Sequence, residues 1–142
     1  MVDPIDDGGS IAKLWRSAEP IPWTGATAGA RELGSQAEQF LRDAGERPWS
    51  VAWCAGSGVM GTSARTLDLE LVALREALAA LAGAPHPERG AIFFASSAGG
   101  VYAGVGMRTY EEPSSVRAPS LYGGDQLDAG ALVTEWGHRT GA

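Results

Sequence analysis

Two serines that directly follow an apolar run carry the hydroxyl groups best suited to chemistry in this sequence. Residues 91–95 read Ala-Ile-Phe-Phe-Ala, Ser96 and Ser97 come next, and residues 98–100 read Ala-Gly-Gly. Ligands of open α/β sheets bind just beyond the carboxyl ends of the strands, and glycine lets a backbone approach a ligand closely. We therefore expect a ligand site here, with Ser97 as the first candidate because it is nearer the glycines. The alternative is that both hydroxyls only satisfy backbone groups at the strand end.

A second strand-like run, residues 49–54, leads into a glycine-rich loop. Gly56, Gly58 and Gly61 match the Gly-x-Gly-x-x-Gly spacing of the dinucleotide-binding fingerprint, in which the loop and the following helix hold a pyrophosphate. The full fingerprint also has an acid at the end of the next strand, where this chain has two serines. A small Rossmann domain with phosphate on this loop is therefore kept as an alternative, and it predicts that Gly58→Val abolishes cofactor binding.

Helices and strands in regular alternation must position these residues. Apolar spacing predicts the following elements: helices over residues 30–44, 67–81 and 120–136, and strands over 49–54 and 91–95. This order is typical of an α/β domain with a parallel sheet. An unbroken apolar run such as 91–95 is typical of a strand buried on both faces, so we expect three layers, with helices on both sides of the sheet. Residues 1–29, with Pro4, Pro20 and Pro22, predict an irregular segment, and residues 30–142 a single domain.

The two strand ends and the start of the last helix resemble the extended branch of the short-chain dehydrogenase/reductase superfamily, the NAD-dependent epimerases and dehydratases. The matching stretches are residues 54–56 (Cys-Ala-Gly), 96–102 (Ser-Ser-Ala-Gly-Gly-Val-Tyr) and 121–123 (Leu-Tyr-Gly). The second stretch is the most specific, and the likeness spans residues 49–136. Members of that family have a Gly-rich strand and loop before these elements and a substrate-binding part after them. The resemblance therefore implies an incomplete, truncated member: a partial Rossmann-like NAD(P)-binding domain.

The resemblance also implies roles for individual residues. It implies NAD or NADP as the cofactor and a hydroxyl group, commonly of a nucleotide sugar, as the point of reaction on a small-molecule substrate. The residues that it places against the cofactor are Cys54, Ala55, Gly56 and Ser96. The residues that it places at the reacting hydroxyl are Ser97, which orients the substrate, Tyr122, the general acid or base, and Gln126, in the position of the family's lysine.

Gln126 departs from the family pattern in a way that bears on turnover. A free phenol has a pKa near 10 and must be brought down to act near neutral pH. In the family a lysine ammonium does this, together with the oxidised nicotinamide. Glutamine has no charge and cannot supply that electrostatic effect, and a change of two to three pKa units is worth about 3–4 kcal/mol. We therefore expect weak or absent turnover; the alternative is a non-catalytic α/β module that binds a nucleotide or a partner.

Composition narrows the function classes. The 142 residues carry a net charge of −6, which argues against nucleic acid as a partner because phosphate binding needs clustered Lys and Arg. One cysteine and two distant histidines predict no disulfide and no metal site. No apolar run is long enough to span a bilayer, so we expect no membrane partner, and an acidic amino terminus without signal-peptide order predicts a cytoplasmic protein. An incomplete parallel sheet leaves an open edge, through which a homodimer could form.

Overall fold

The computed structural model describes residues 26–104 and 116–142. The described helices and strands are α1 (Ala26–Ala44), β1 (Trp49–Trp53), α2 (Ala64–Ala82), β2 (Gly90–Phe94), α3 (Ala98–Val101) and α4 (Leu121–Thr140), with a 3-10 turn over Pro87–Arg89. Most of the predicted irregular amino-terminal segment, and residues 105–115, lie outside the described residues. The described end of that segment is helical, because α1 begins at Ala26 rather than at the predicted Ala30.

Serine hydroxyls start the two long helices that follow the glycine-rich loop and the second strand. Ser63 precedes α2, and its Oγ accepts a hydrogen bond from the Thr66 amide at 3.3 Å. Ser120 precedes α4, and its Oγ accepts from the Gly123 amide at 3.0 Å. Such a cap is worth about 1 kcal/mol, which offsets part of the cost of about 1 kcal/mol for each glycine in the first turn of α4. Local sequence thus fixes where both helices begin.

The sheet consists of the two predicted strands, and they are parallel. Trp49 of β1 pairs with Gly90 of β2, and the register continues to the pair Trp53 and Phe94. Helix α2 connects the two strands, as a parallel pair requires. The prediction of an α/β fold with a parallel sheet is therefore confirmed for the described residues, whereas a complete Rossmann layout is not what they form.

The core lies between one face of this sheet and the three long helices. Its buried members are Trp49, Leu71, Leu74, Leu78, Leu81, Ala129 and Trp136. Trp49 of β1 contacts helices α1 and α4. Its ring makes edge-type contacts with Phe40 of α1, at a centroid distance of 5.9 Å, and with Trp136 of α4, at 6.1 Å. The leucine stripe of α2 is buried along its whole length and supplies the centre of the core; it consists of Leu67, Leu71, Leu74, Leu78 and Leu81. None of the described helices has the length and apolar character that a membrane span requires.

The expectation of three layers is wrong for the described residues, because helices cover only one face of the sheet. Burial alternates along both strands, and the positions facing away from the helices are exposed: Ser50, Ala52, Ala91 and Phe93. Phe93 keeps 65% of its surface exposed. The run at 91–95 is apolar on both faces of the strand, but helices of the described chain cover only one of them. The described residues therefore form two layers.

Candidate functional site

The loops that follow β1 and β2 begin side by side at one edge of the sheet. The Ala95 amide donates to the Trp53 carbonyl oxygen at 3.0 Å, which extends the ladder one residue past the end of β2. Because the strands are parallel, their carboxyl ends meet at the same edge. The glycine-rich loop after β1 and the paired serines after β2 are thus neighbours, as the sequence predicts.

An open cavity of about 370 Å³ lies beside the loop after β1. Its lining residues are Gly29, Ala30, Cys54, Ala55, Gly56, Ser57, Thr66, Leu69, Glu70 and Ala73. Three of the four expected cofactor contacts, Cys54, Ala55 and Gly56, therefore share one cavity, whereas the exposed Ser96 is not part of its lining. A lone cysteine at the end of a strand-like run is expected to be a small buried apolar residue, but the Cys54 thiol is free and exposed. The reason is that β1 ends at Trp53, before this side chain.

Ser97 starts the short helix α3 and is half-buried. Its Oγ accepts a hydrogen bond from the Gly100 amide at 3.2 Å. This is the backbone-capping role that the sequence left open as the alternative for the serines. A hydroxyl group has one donor and two acceptor positions, so the bond to Gly100 leaves the Ser97 proton able to donate to a ligand. Both roles are compatible in this geometry.

Tyr122 lies between the two strand-end loops. A Cβ atom placed on Gly58 would stand 3.3 Å from the Tyr122 Cδ2 atom, and one on Gly100 would stand 3.3 Å from Cε1. The same point at Gly100 is 3.5 Å from the Ser97 Cβ atom. The phenol ring therefore borders the loop after β1 on one side and Ser97 with α3 on the other. The expected neighbours Ser97 and Tyr122 are brought to one region of the sheet edge.

Gln126 follows Tyr122 by one turn of α4. Residues four apart on a helix lie on the same face, and both side chains are half-buried. The position expected for a lysine is thus next to the tyrosine, and it carries an uncharged amide.

Glu70 of α2 is hydrogen-bonded to the glycine-rich loop that follows β1. Its Oε1 accepts hydrogen bonds from the Ser57 amide at 2.8 Å and from the Ser57 Oγ at 3.2 Å. Its Oε2 would be 3.0 Å from a Cβ atom on Gly56 and 3.3 Å from one on Gly58. A loop amide that a phosphate would need is therefore already bonded to a carboxylate. This observation disfavours the alternative in which the Gly56–Gly61 loop binds pyrophosphate.

Asp125 is a buried carboxyl group on α4 close to Glu70. It is 8% exposed, and its Oδ1 has no hydrogen-bond partner among the described residues. Burial raises the pKa of Asp125 to about 6, and the charges of Glu70, Asp128 and Asp68 add to the rise. The group therefore changes its charge in mildly acidic solution, one turn away from Tyr122.

The sequence analysis gave no functional role to Glu70 or Asp125, although the spacing of apolar residues around each of them indicates a partly buried position. Glu70 follows Leu67 by three residues and so falls beside the leucine stripe of α2. Asp125 falls in the series Tyr122, Asp125, Ala129, Leu132 and Trp136, whose steps of three and four predict a buried face. An acid inside an apolar helical face marks a group with a special environment.

In residues 26–104 and 116–142 no three side chains of His, Cys, Asp or Glu are grouped as metal ligands.

Comparison with models of protein families, with curated proteins and with solved structures finds no significant match for this chain.

Proposed function

We propose that this chain binds NAD or NADP at the carboxyl edge of its sheet and acts weakly on a substrate hydroxyl group, such as that of a nucleotide sugar. The proposal follows from the resemblance to the epimerase and dehydratase branch of the short-chain dehydrogenases. The observation that carries it is the position of the Tyr122 ring between Gly58 and Gly100, next to Ser97.

In this proposal the two hydroxyl groups have separate tasks. Ser97 accepts from the Gly100 amide and donates its proton to the substrate oxygen, which holds that oxygen in place. Tyr122 exchanges a proton with the substrate hydroxyl while hydride passes to or from the nicotinamide. When bound, the nicotinamide supplies the hydride chemistry. Gln126 can hydrogen-bond a ribose hydroxyl but adds no positive charge beside the phenol.

The second candidate is a non-catalytic module that binds a nucleotide or a partner. Two hydrogen bonds favour it, because they show that polar groups at the site already have partners within the protein. Glu70 accepts from the Ser57 amide, and Ser97 caps α3. Calorimetry with NAD(H), NADP(H) and UDP-sugars at millimolar concentration separates the candidates. Binding of a dinucleotide supports the first, and absence of binding to all of them favours a module that binds a partner.

Gln126→Lys is expected to raise turnover at least 10-fold, because it returns a positive charge to the helix face of Tyr122. A charge that lowers the pKa of a phenol by even one unit is worth about 1.4 kcal/mol, or a factor of ten. The measurement is NADH or NADPH formation with a panel of nucleotide sugars.

Two further variants make this result specific. Gln126→Ala removes the amide without adding charge and should give no gain. Tyr122→Phe, introduced into the lysine variant, should abolish the gain because it removes the proton-transferring oxygen. No increase in a lysine variant that binds the dinucleotide as wild type does would contradict the catalytic proposal.

A further inference from the structure

Three exposed apolar side chains flank the contact between Tyr122 and the glycine-rich loop. Met60 and Leu121 are 70% and 66% exposed, more than any other large apolar side chain of the described residues, and Val59 is 63% exposed. Leu121 directly precedes Tyr122, and Val59 and Met60 directly follow Gly58, where a Cβ atom would touch the Tyr122 ring. We call these three side chains the edge patch. A group of exposed apolar side chains at one place indicates an interaction surface.

The amino-terminal segment of the chain joins the described structure at this same edge. Helix α1 begins at Ala26, and its residues Gly29 and Ala30 line the cavity beside the loop after β1. Further along α1, Phe40 contacts Trp49 at the start of β1. Helix α1 therefore runs from the carboxyl edge of the sheet to the amino edge, and residues 1–25 enter it close to the edge patch.

The sequence of residues 10–18 has one apolar side. The apolar residues stand at positions i, i+3, i+4 and i+7, which is the spacing of one helix face: Ile11, Leu14, Trp15 and Ala18. Lys13 and Arg16 fall on the opposite side, and Ser10 is of a type that often precedes a helix. The prolines at positions 4, 20 and 22 lie outside this stretch. Such a stretch needs an apolar surface on which to bury its apolar side.

We propose that residues 10–18 bind the edge patch with this apolar side, so that Trp15 and its apolar neighbours cover Met60 and Leu121. The inference goes beyond the proposed function and does not depend on it. Residues 19–25 connect the stretch to α1 and can span about 23 Å when extended. This reach is about two helix diameters, so the connection allows the contact without any change in the described residues.

Charge also favours this stretch at the edge patch. Residues 10–18 carry two basic residues and no acid. The charges of Glu70, Asp68 and Asp128 act on Asp125 in the first turns of α4, so this part of the protein is acidic. Opposite charges within about 10 Å attract each other at moderate salt, which adds to the apolar contact.

A second copy of the chain is the alternative occupant, and the size of the patch disfavours it. A stable dimer buries about 800 Å² on each partner, from about 20–30 residues a side, whereas the edge patch consists of three side chains. A segment tethered to the same chain has an effective concentration in the millimolar range. A small contact is therefore enough to hold the tethered segment but not a second molecule.

Trypsin tests the contact in the full chain, because Lys13 and Arg16 are cleavage sites inside the stretch. Under native conditions, cleavage after these residues should be at least about 10-fold slower than in a free peptide of residues 1–25. Leu121→Asp should remove this protection, and it should keep the fold because an acid in the first turn of a helix is favourable. Cleavage of wild type at the rate of the peptide, or protection that survives Leu121→Asp, would overturn the proposal.

Phe93→Asp is the matched control. It makes the same change from apolar to acidic at a side chain of nearly equal exposure, 65%, but on the exposed face of the sheet. Protection of Lys13 and Arg16 should be unchanged in this variant. Loss of protection in Phe93→Asp would overturn the proposal, because it would place the stretch on the sheet face or show that any added acid releases it.

The reverse measurement follows Met60. Hydrogen peroxide converts an accessible methionine to its sulfoxide, and mass spectrometry gives the rate at this position. Trp15→Ala should speed the oxidation of Met60 at least about 5-fold by uncovering it, whereas Lys13→Ala, on the polar side of the stretch, should not. Equal rates in the two variants would overturn the proposal. So would a wild-type dimer in sedimentation that Leu121→Asp dissociates, since the edge patch would then bind a second copy.

Discussion

Gly123→Ala is expected to lower the free energy of unfolding by about 1–3 kcal/mol, the usual cost of overpacking a close contact. A Cβ atom at this position would collide with the Gly100 carbonyl oxygen and would stand 2.9 Å from the Ala118 Cβ atom. The collision is with backbone, which cannot rotate away as a flexible side chain can. Helix α4 can approach α3 this closely only because residue 123 lacks a side chain.

The same substitution should also disturb the site. Tyr122 is the neighbour of Gly123, and its ring borders Gly100 only while α4 and α3 stay in contact. Relief of the collision would move Tyr122 away from Ser97. Under the proposed function, NAD affinity should therefore fall together with stability, as measured by calorimetry at a temperature where the variant is folded.

Gly124→Ala is the matched control for this prediction. A Cβ atom there has nothing within 4 Å, so the substitution should follow helix propensity alone and stabilise the protein by about 0.5–1 kcal/mol. Urea unfolding of both variants gives the comparison. Gly123→Ala with wild-type stability, or two glycine variants that change stability in the same direction, would contradict the close packing of α3 and α4.

The order of elements and the covered core could be predicted from local patterns. The leucine stripe of α2 has the 3.6-residue period, and the helix ends at Gly83, a residue type that often follows the last turn of a helix. The strand after it follows from the β-branched and aromatic run at 91–95. Parallel pairing follows in turn, since a helix between two strands brings them together in the same direction. These inferences need only neighbours along the chain.

The exposed face of β2 could not be predicted in that way. Phe93 and Phe94 are equally apolar, yet Phe94 packs on the core while Phe93 is 65% exposed. Which face is covered depends on where the helices lie, and the strand sequence does not contain that information. The expectation of helices on both faces treated hydrophobicity as if it were burial.

Local sequence patterns likewise predicted one part of the candidate site and not the other. The glycines and serines after the two apolar runs predicted both strand ends, whereas Tyr122 was expected beside Ser97 only because of the family resemblance. The bond between Glu70 and Ser57 joins residues 13 apart, and it depends on how the loop folds back over α2. The sequence signal at Glu70 was an acid beside an apolar stripe, which indicates an unusual environment without naming its partner.

Asp125→Asn is expected to stabilise the protein at pH 7 and to have little effect at pH 4. Burial and the charge of Glu70 raise the pKa of Asp125 from 3.8 to about 6. Between these values the native state binds more protons than the unfolded state, so stability falls as pH rises through the window. The full difference corresponds to about 3 kcal/mol. The asparagine variant should gain about 1–3 kcal/mol above pH 6, because a buried amide atom in the place of Oδ1 would still lack a partner.

Urea unfolding of wild type and variant at a series of pH values from 4 to 7 measures this window. The acids whose charges raise the pKa of Asp125 are Glu70 and Asp68 of α2 and Asp128 of α4. Glu135→Gln, at an exposed position of α4, removes the same charge and should change stability only slightly and without this pH dependence. A gain for Asp125→Asn that is the same at pH 4 and pH 7 would show that the effect is packing. A gain that appears only as pH rises through the window would mean that the fold tolerates an acid on the buried face of α4, one turn from Tyr122, at a cost in stability.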